Sequence, residues 1–148
     1  MSKKIEITRE FAHRVRDSCL CFHVQRAARA LARRFDEVLR PLGLTNGQFS
    51  LLMFLHGAGE PTIGNISALL AMDRTTLTAN LKPLERRGLV KVAADKKDRR
   101  CRRLKLTAAG RALLTRAAPL WTRSHARIEQ LATHAGPDAL RADLRALA

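Results

Sequence analysis

The sequence contains no tyrosine, and aromatic residues fill only 4% of its 148 positions. Its core must therefore be aliphatic, rich in leucine and alanine, which favours helices. Cysteine is scarce and odd in number, with Cys19, Cys21 and Cys101 only. An odd count excludes a complete disulfide framework. No apolar run approaches the roughly 18 residues of a membrane span. Residues 1–10, MSKKIEITRE, lack the apolar stretch of a secretory signal. A cytoplasmic protein with reduced thiols is therefore expected. There is no glycine-rich phosphate loop, no His-Glu-x-x-His and no nucleophile elbow, so neither an enzyme nor a cofactor is expected. Acids are the last shortage: 13 Asp and Glu face 28 Lys and Arg, for a formal charge of +15. A field of that sign attracts polyanions, whether nucleic acid, an acidic membrane surface or an acidic protein.

What is present is helical periodicity. Apolar residues make up 46%, enough for a packed core in one domain, with or without a helical appendage. Cys21, Val24, Ala28, Leu31, Phe35 and Leu39 recur at spacings of three and four, predicting a helix over 18–40 with a core-facing stripe. Pro41 and Gly43 stop it. Thr45 and Gln48 form a capping box for a second helix, closed by Gly57, Gly59 and Pro61. A third helix spans about 63–71. Asp73 is an N-cap for a fourth, which carries Leu77, Leu81 and Leu84 and ends at Gly88. Two helices separated by a tight turn, the second polar in its first half, make a helix-turn-helix. Pro83 predicts a kink near residues 79–83. Residues 89–94 and 101–106 read as two strands around the charged loop 95–100, a β-hairpin. A hairpin in that place is a wing. Thr107 caps a long helix, and Gly136-Pro137-Asp138 opens the last one. Its Leu140, Leu144 and Leu147, with the apolar positions of 113–131, have no partner inside a small winged domain, and dimerisation would bury them.

The charge is concentrated. Residues 85–105 hold ten Lys and Arg against Glu85, Asp95 and Asp98, a net +7 in 21 residues. A solvated face usually mixes signs, and this one does not, which points to nucleic acid. Lysines and arginines such as Lys96, Lys97, Arg99 and Arg100 neutralise phosphates, and an arginine at a hairpin tip can enter a minor groove. On the fourth helix, Arg74, Thr75, Thr76, Thr78, Asn80 and Lys82 are the polar positions. Arg74 suits guanine, Asn80 suits adenine, and the threonines suit thymine methyls or phosphates.

These segments together resemble the MarR family of bacterial transcription regulators. Asp98-Arg-Arg-Cys-Arg-Arg-Leu-Lys-Leu-Thr107, followed by Gly110, is similar to that family's wing motif. Met72-Asp-Arg-Thr-Thr-Leu-Thr78 resembles the start of its recognition helix. Leu84-Glu-Arg-Arg-Gly-Leu-Val90 resembles the join to the wing, and Leu44-Thr-x-x-Gln48-Phe the start of its second helix. The resemblance implies a mainly α fold with a small β-hairpin wing. The winged helix-turn-helix would occupy 45–106, and a dimerisation region would be made of 1–44 and 107–148. It implies a homodimer on a pseudo-palindromic operator in double-stranded DNA, most members being repressors released by a small molecule or by oxidation. It also implies that Asp98 pairs with an arginine to hold the wing.

For the signal, two readings arise. Leu20-Cys21-Phe22 resembles the hydroperoxide-sensing branch of the same family, although the tyrosines that accompany that cysteine are absent. On the apolar stripe Cys21 would be buried and inert, whereas arginines around Cys101 would lower its pKa. Cys19, Cys21 and His23 do not share one helical face, so no metal site is expected. A pocket lined by His23, Arg26, Met53 and Trp121 is the alternative place for an effector. A non-specific RNA-binding or nucleoid protein is the rival from another class.

Overall fold

The computed structural model describes residues 7–148, which divide into two compact units at Arg34 and Phe35. The first unit is helical. Helix α1 (Arg9–Ser18) starts where the Thr8 hydroxyl accepts from the Phe11 amide at 3.1 Å. The sequence reading missed this helix. Phe11 and Val15 are its only large apolar residues, and Val15 is exposed, so it has little periodicity to detect. Helix α2 (Leu20–Leu39) then runs into the second unit. The core-facing stripe expected along α2 is covered only at its end. Phe35 and Leu39 are buried, but Cys21, Val24 and Leu31 are exposed.

In the second unit a 3-10 turn at Arg40–Leu42, with Gly43 at φ +64°, reverses the chain. The left-handed φ suits glycine there. Helix α3 (Asn46–Ala58) opens on the anticipated capping box: the Thr45 hydroxyl accepts from Gln48, and the Gln48 side chain accepts from the Thr45 amide. A second box, Thr62 with Asn65, opens α4 (Ile63–Leu69). The turn after α4 places Ala71 at φ +48° and is tied by the Ser67 hydroxyl donating to the Met72 carbonyl. Helix α5 (Arg74–Arg86) follows, and it continues through Pro83 without a break.

Strands β1 (Val90–Ala94) and β2 (Arg102–Leu106) form an antiparallel hairpin in which Val90 faces Leu106 and Ala94 faces Arg102. The segment before α4 pairs with the other edge of β2, through Thr62 opposite Arg103 and the Leu104 amide donating to the Pro61 carbonyl. Alternation puts Val90, Leu104 and Leu106 on the core side of the hairpin. They meet Leu51, Leu52 and Leu55 of α3, Ile66 of α4 and Leu77 and Leu84 of α5 in one buried cluster. Helix α6 (Ala108–Glu129) adds Leu113, Leu114 and Ala117, and like α5 it contains a proline, Pro119. Helix α7 (Gly136–Leu147) buries nothing: Leu140, Leu144 and Leu147 stay exposed. Among the described residues no helix is long and apolar enough to cross a membrane.

Candidate nucleic-acid interface

The start of α5 is fixed by one carboxylate. Asp73 Oδ1 accepts from the Thr76 amide at 2.8 Å, and Oδ2 accepts from the Thr76 hydroxyl at 2.7 Å. These bonds, the hydroxyl foremost, hold the Asp73 carboxyl below the usual carboxylate range. They also occupy the Thr76 hydroxyl proton. Thr78 donates to the Arg74 carbonyl at 2.7 Å, the local backbonding that threonine adopts in helices. The Asn80 amide, expected to suit adenine, is partly engaged within the helix itself. It donates to the Thr76 carbonyl at 3.0 Å, and the half-buried side chain leans toward Gly47 and Met72. Arg74, Thr75 and Lys82 are exposed, with no side-chain partner among the described residues. Arg74, Thr78 and Lys82 follow at i, i+4 and i+8, and so lie along one face.

The wing is organised around Asp95, which is 7% exposed. Its Oδ1 accepts from the amide of Lys97 at 2.6 Å, its Oδ2 from Nε of Arg103, and its own amide donates to the Cys101 carbonyl at 2.8 Å. The Lys97 amide, more than the guanidinium, keeps the Asp95 carboxyl below its usual range. This corrects the pairing implied for Asp98. The Asp98 carboxylate takes the Arg100 amide at 3.0 Å, shaping the loop tip, while the arginine pair that ties the two strands together is Asp95 with Arg103. Arg103 also donates to the Glu60 carbonyl at 2.7 Å, and Lys105 pairs with the Glu60 carboxylate. These two cations of the basic run are turned back onto the chain, as is Arg87, which donates to the Gly43 and Leu42 carbonyls. Lys96, Lys97, Arg99 and Arg100 are exposed at the tip.

The structure brings the two halves of the basic segment together. A recess of about 180 Å³ is lined by Thr62, Gly64, Arg74, Arg100 and Arg102. The sequence placed Arg74 and Arg100 on separate elements; it did not single out Arg102 or the start of α4. Their signal was indirect, since it is the pairing of the segment before α4 with β2 that carries α4 up against the hairpin.

The cysteines behave differently from expectation. Cys101 lies within reach of this recess, but the charge of Asp98, whose carboxylate the thiol approaches at 3.7 Å, pushes its pKa up. The nearby acid outweighs the arginines. Cys21 is exposed rather than buried, and Gln25 Nε2 donates to its sulfur at 3.2 Å. Among the described residues no three His, Cys, Asp or Glu side chains cluster as metal ligands. His23 and Arg26, named for an effector pocket, are exposed in the N-terminal unit. In the second unit Met53 is exposed, and Trp121 is half-buried in a stack with Phe35, Phe49 and His125, whose ring lies 4.4 Å away between centroids.

Comparison with known proteins gives this geometry a context. A family model described as MarR family matches residues 42–100. The chain is 42% identical to the transcriptional regulator MosR of M. tuberculosis in a crystal structure with DNA, covering 88% of this chain and 93% of that one at a TM-score of 0.78. It is 31% identical to a transcriptional repressor, CouR, bound to a 23-mer DNA duplex, covering 97% and 99% at a TM-score of 0.78. It is 38% identical over 97 residues to the HTH-type transcriptional regulator TtmR of Methylorubrum extorquens (strain PA1). That match takes in 66% of this chain and spans half the length of TtmR.

Proposed function

This chain belongs to the MarR family of DNA-binding transcriptional regulators, and from that premise we propose that it is a homodimeric repressor of a pseudo-palindromic operator, released by a small molecule. The observation that carries the reading is the recess where Arg74 of α5 meets Arg100 and Arg102 of the wing. Arginines from helix and hairpin meet there, so both elements present their cations to one duplex. Arg74 and Thr75 then face base edges in the major groove, with Thr78 and Lys82 along the same face. Thr76 and Asn80 act by shaping the helix. Lys96, Lys97 and Arg99 neutralise phosphates, and Arg100 reaches the minor groove. Asp98 shapes the tip that presents them.

Dimerisation is supported by the exposed apolar positions: Val24 and Leu31 of α2, and Leu140, Leu144 and Leu147 of α7. Residues 1–44 and 107–148 would supply the interface, with 45–106 as the DNA-binding part. Two recognition helices would then read half-sites about 34 Å apart.

The test is fluorescence anisotropy of the full-length protein on its own promoter duplex across a salt series. Arg74→Ala and Arg100→Ala should each weaken binding by about 1–3 kcal/mol. Loss of a phosphate contact should flatten the salt slope by about one unit. Unchanged affinity in both variants would refute the proposed contacts. Equal competition by random duplex or RNA would favour the non-specific nucleic-acid binder that the charge of +15 also allows.

A further inference from the structure

On the face of the hairpin away from the core lies a second cationic feature, one that the proposed DNA contacts do not use. Alternation along the strands puts Lys91 and Lys105 on this outer face, and the register sets them directly opposite each other. Like charges opposed across a strand pair are destabilising. Arg111 adds a third cation. It sits in the first turn of the 22-residue helix α6, where the helix dipole disfavours positive charge, and its guanidinium donates to the Leu106 carbonyl at 3.2 Å. Two adjoining recesses, of about 190 and 330 Å³, share Lys105, Leu106 and Arg111, and Lys91 lines the larger. Glu60 is the carboxylate that lines them, at the edge of the smaller, and it is already paired with Lys105.

Two local electrostatic rules are thus broken at one place with incomplete compensation. Such violations concentrate at functional sites, and a bound anion relieves both at once. We propose that this recess binds the oxyanion group, phosphate or carboxylate, of a small metabolite, held between Lys91, Lys105 and Arg111. The site lies apart from the arginine recess at the start of α5. It is coupled to the wing, because Lys105 is shared with Glu60: an anion that engages Lys105 weakens one of the two ties from the hairpin to Glu60, leaving the tie through Arg103.

The experiment is a titration of the full-length protein with inorganic phosphate and, separately, with succinate, at constant ionic strength, followed by amide chemical shifts. Saturable shifts centred on Lys91, Lys105 and Arg111 are expected with at least one of the two. Which of them saturates identifies the group recognised. Lys91→Gln, with a melting temperature no lower than the parent's, should weaken that binding at least tenfold. It should leave the affinity and salt slope for DNA as they were. Linear shifts with both anions, binding unaltered in the variant, or shifts centred on Arg74 and Arg100 would overturn the proposal. So would a lowered DNA salt slope in Lys91→Gln, which would make the lysine a contact to duplex phosphates.

Discussion

Gly110 gives the sharpest prediction. It lies in the first turn of α6, after the Thr107 cap, and is buried. A Cβ built there would stand 2.4 Å from the Leu89 carbonyl oxygen and 2.5 Å from a Leu106 methyl. Ordinary carbon contacts need about 3.5–4 Å, so roughly 1 Å must open. The leucine methyl can rotate away. The carbonyl cannot, because it accepts from the Thr107 amide at 3.1 Å and so fixes α6 to the entry of β1. Relief therefore requires moving the helix against the wing, which places the change near the upper end of the 1–3 kcal/mol typical of overpacking. Better helix propensity returns about 1 kcal/mol. The net is about 2 kcal/mol of lost stability, or roughly 6 °C in melting temperature for a chain of this size. Gly57→Ala is the control: it is helical and has nothing within 4 Å of its added Cβ. That change should stabilise by about 0.5–1 kcal/mol. Thermal melts by circular dichroism, at one chain concentration because the proposed dimer would make them concentration-dependent, should therefore move in opposite directions. Gly110→Ala melting at or above the parent would refute the packing reasoning. The same variant should weaken DNA binding, since the helix it displaces is joined to β2.

Two further outcomes follow from the wing and the thiols. Asp95→Asn should lower the melting temperature and the DNA affinity more than Asp98→Asn, because it breaks the pair of the buried Asp95 carboxylate with half-buried Arg103; equal effects would mean that the tip, not the strand tie, holds the wing. The Asp95 carboxyl lies below its unfolded value of 3.8, so its stabilisation is present above that pH and lost as pH falls through the folded value; the Asn variant should accordingly show a shallower acid denaturation curve. Peroxide should leave the parent protein on its DNA, because a small ligand is the proposed signal; release by peroxide that disappears in Cys21→Ser would move the sensor to this exposed thiol.

Much of this architecture is legible in the sequence because it rests on local chemistry. The capping box of Thr45 and Gln48, the Asp73 cap, the Thr107 cap and the alternation in 101–106 each act within a few residues, and all appear in the structure. Helix α1 was illegible because its apolar positions are few, whereas Pro83 stands inside α5, which a single proline need not end. At the site the same division holds. Which residues are cationic is plain from the sequence, but which cations are free is a long-range matter. Arg103 and Lys105 lie within the same basic run as Arg99 and Arg100, yet Glu60, more than 40 residues away, engages the first two.

The choice between Asp95 and Asp98 shows what decides such cases. Both acids lie in one loop, three residues apart, with two cations after each. Asp95 stands just beyond β1, where its amide bonds across to the Cys101 carbonyl. That bond places its carboxylate beside Arg103, the residue opposite Ala93. Asp98 sits at the turn, where the nearest donor is the amide of Arg100. A carboxylate at a hairpin's mouth therefore ties its strands, and one at its tip shapes the loop. Motif spacing alone favours the wrong acid, and register selects the right one. The tip arginines make no ion pair among the described residues, because the Asp98 carboxylate turns to the Arg100 amide instead, and an unpaired cation on a protruding loop is what a phosphate can use.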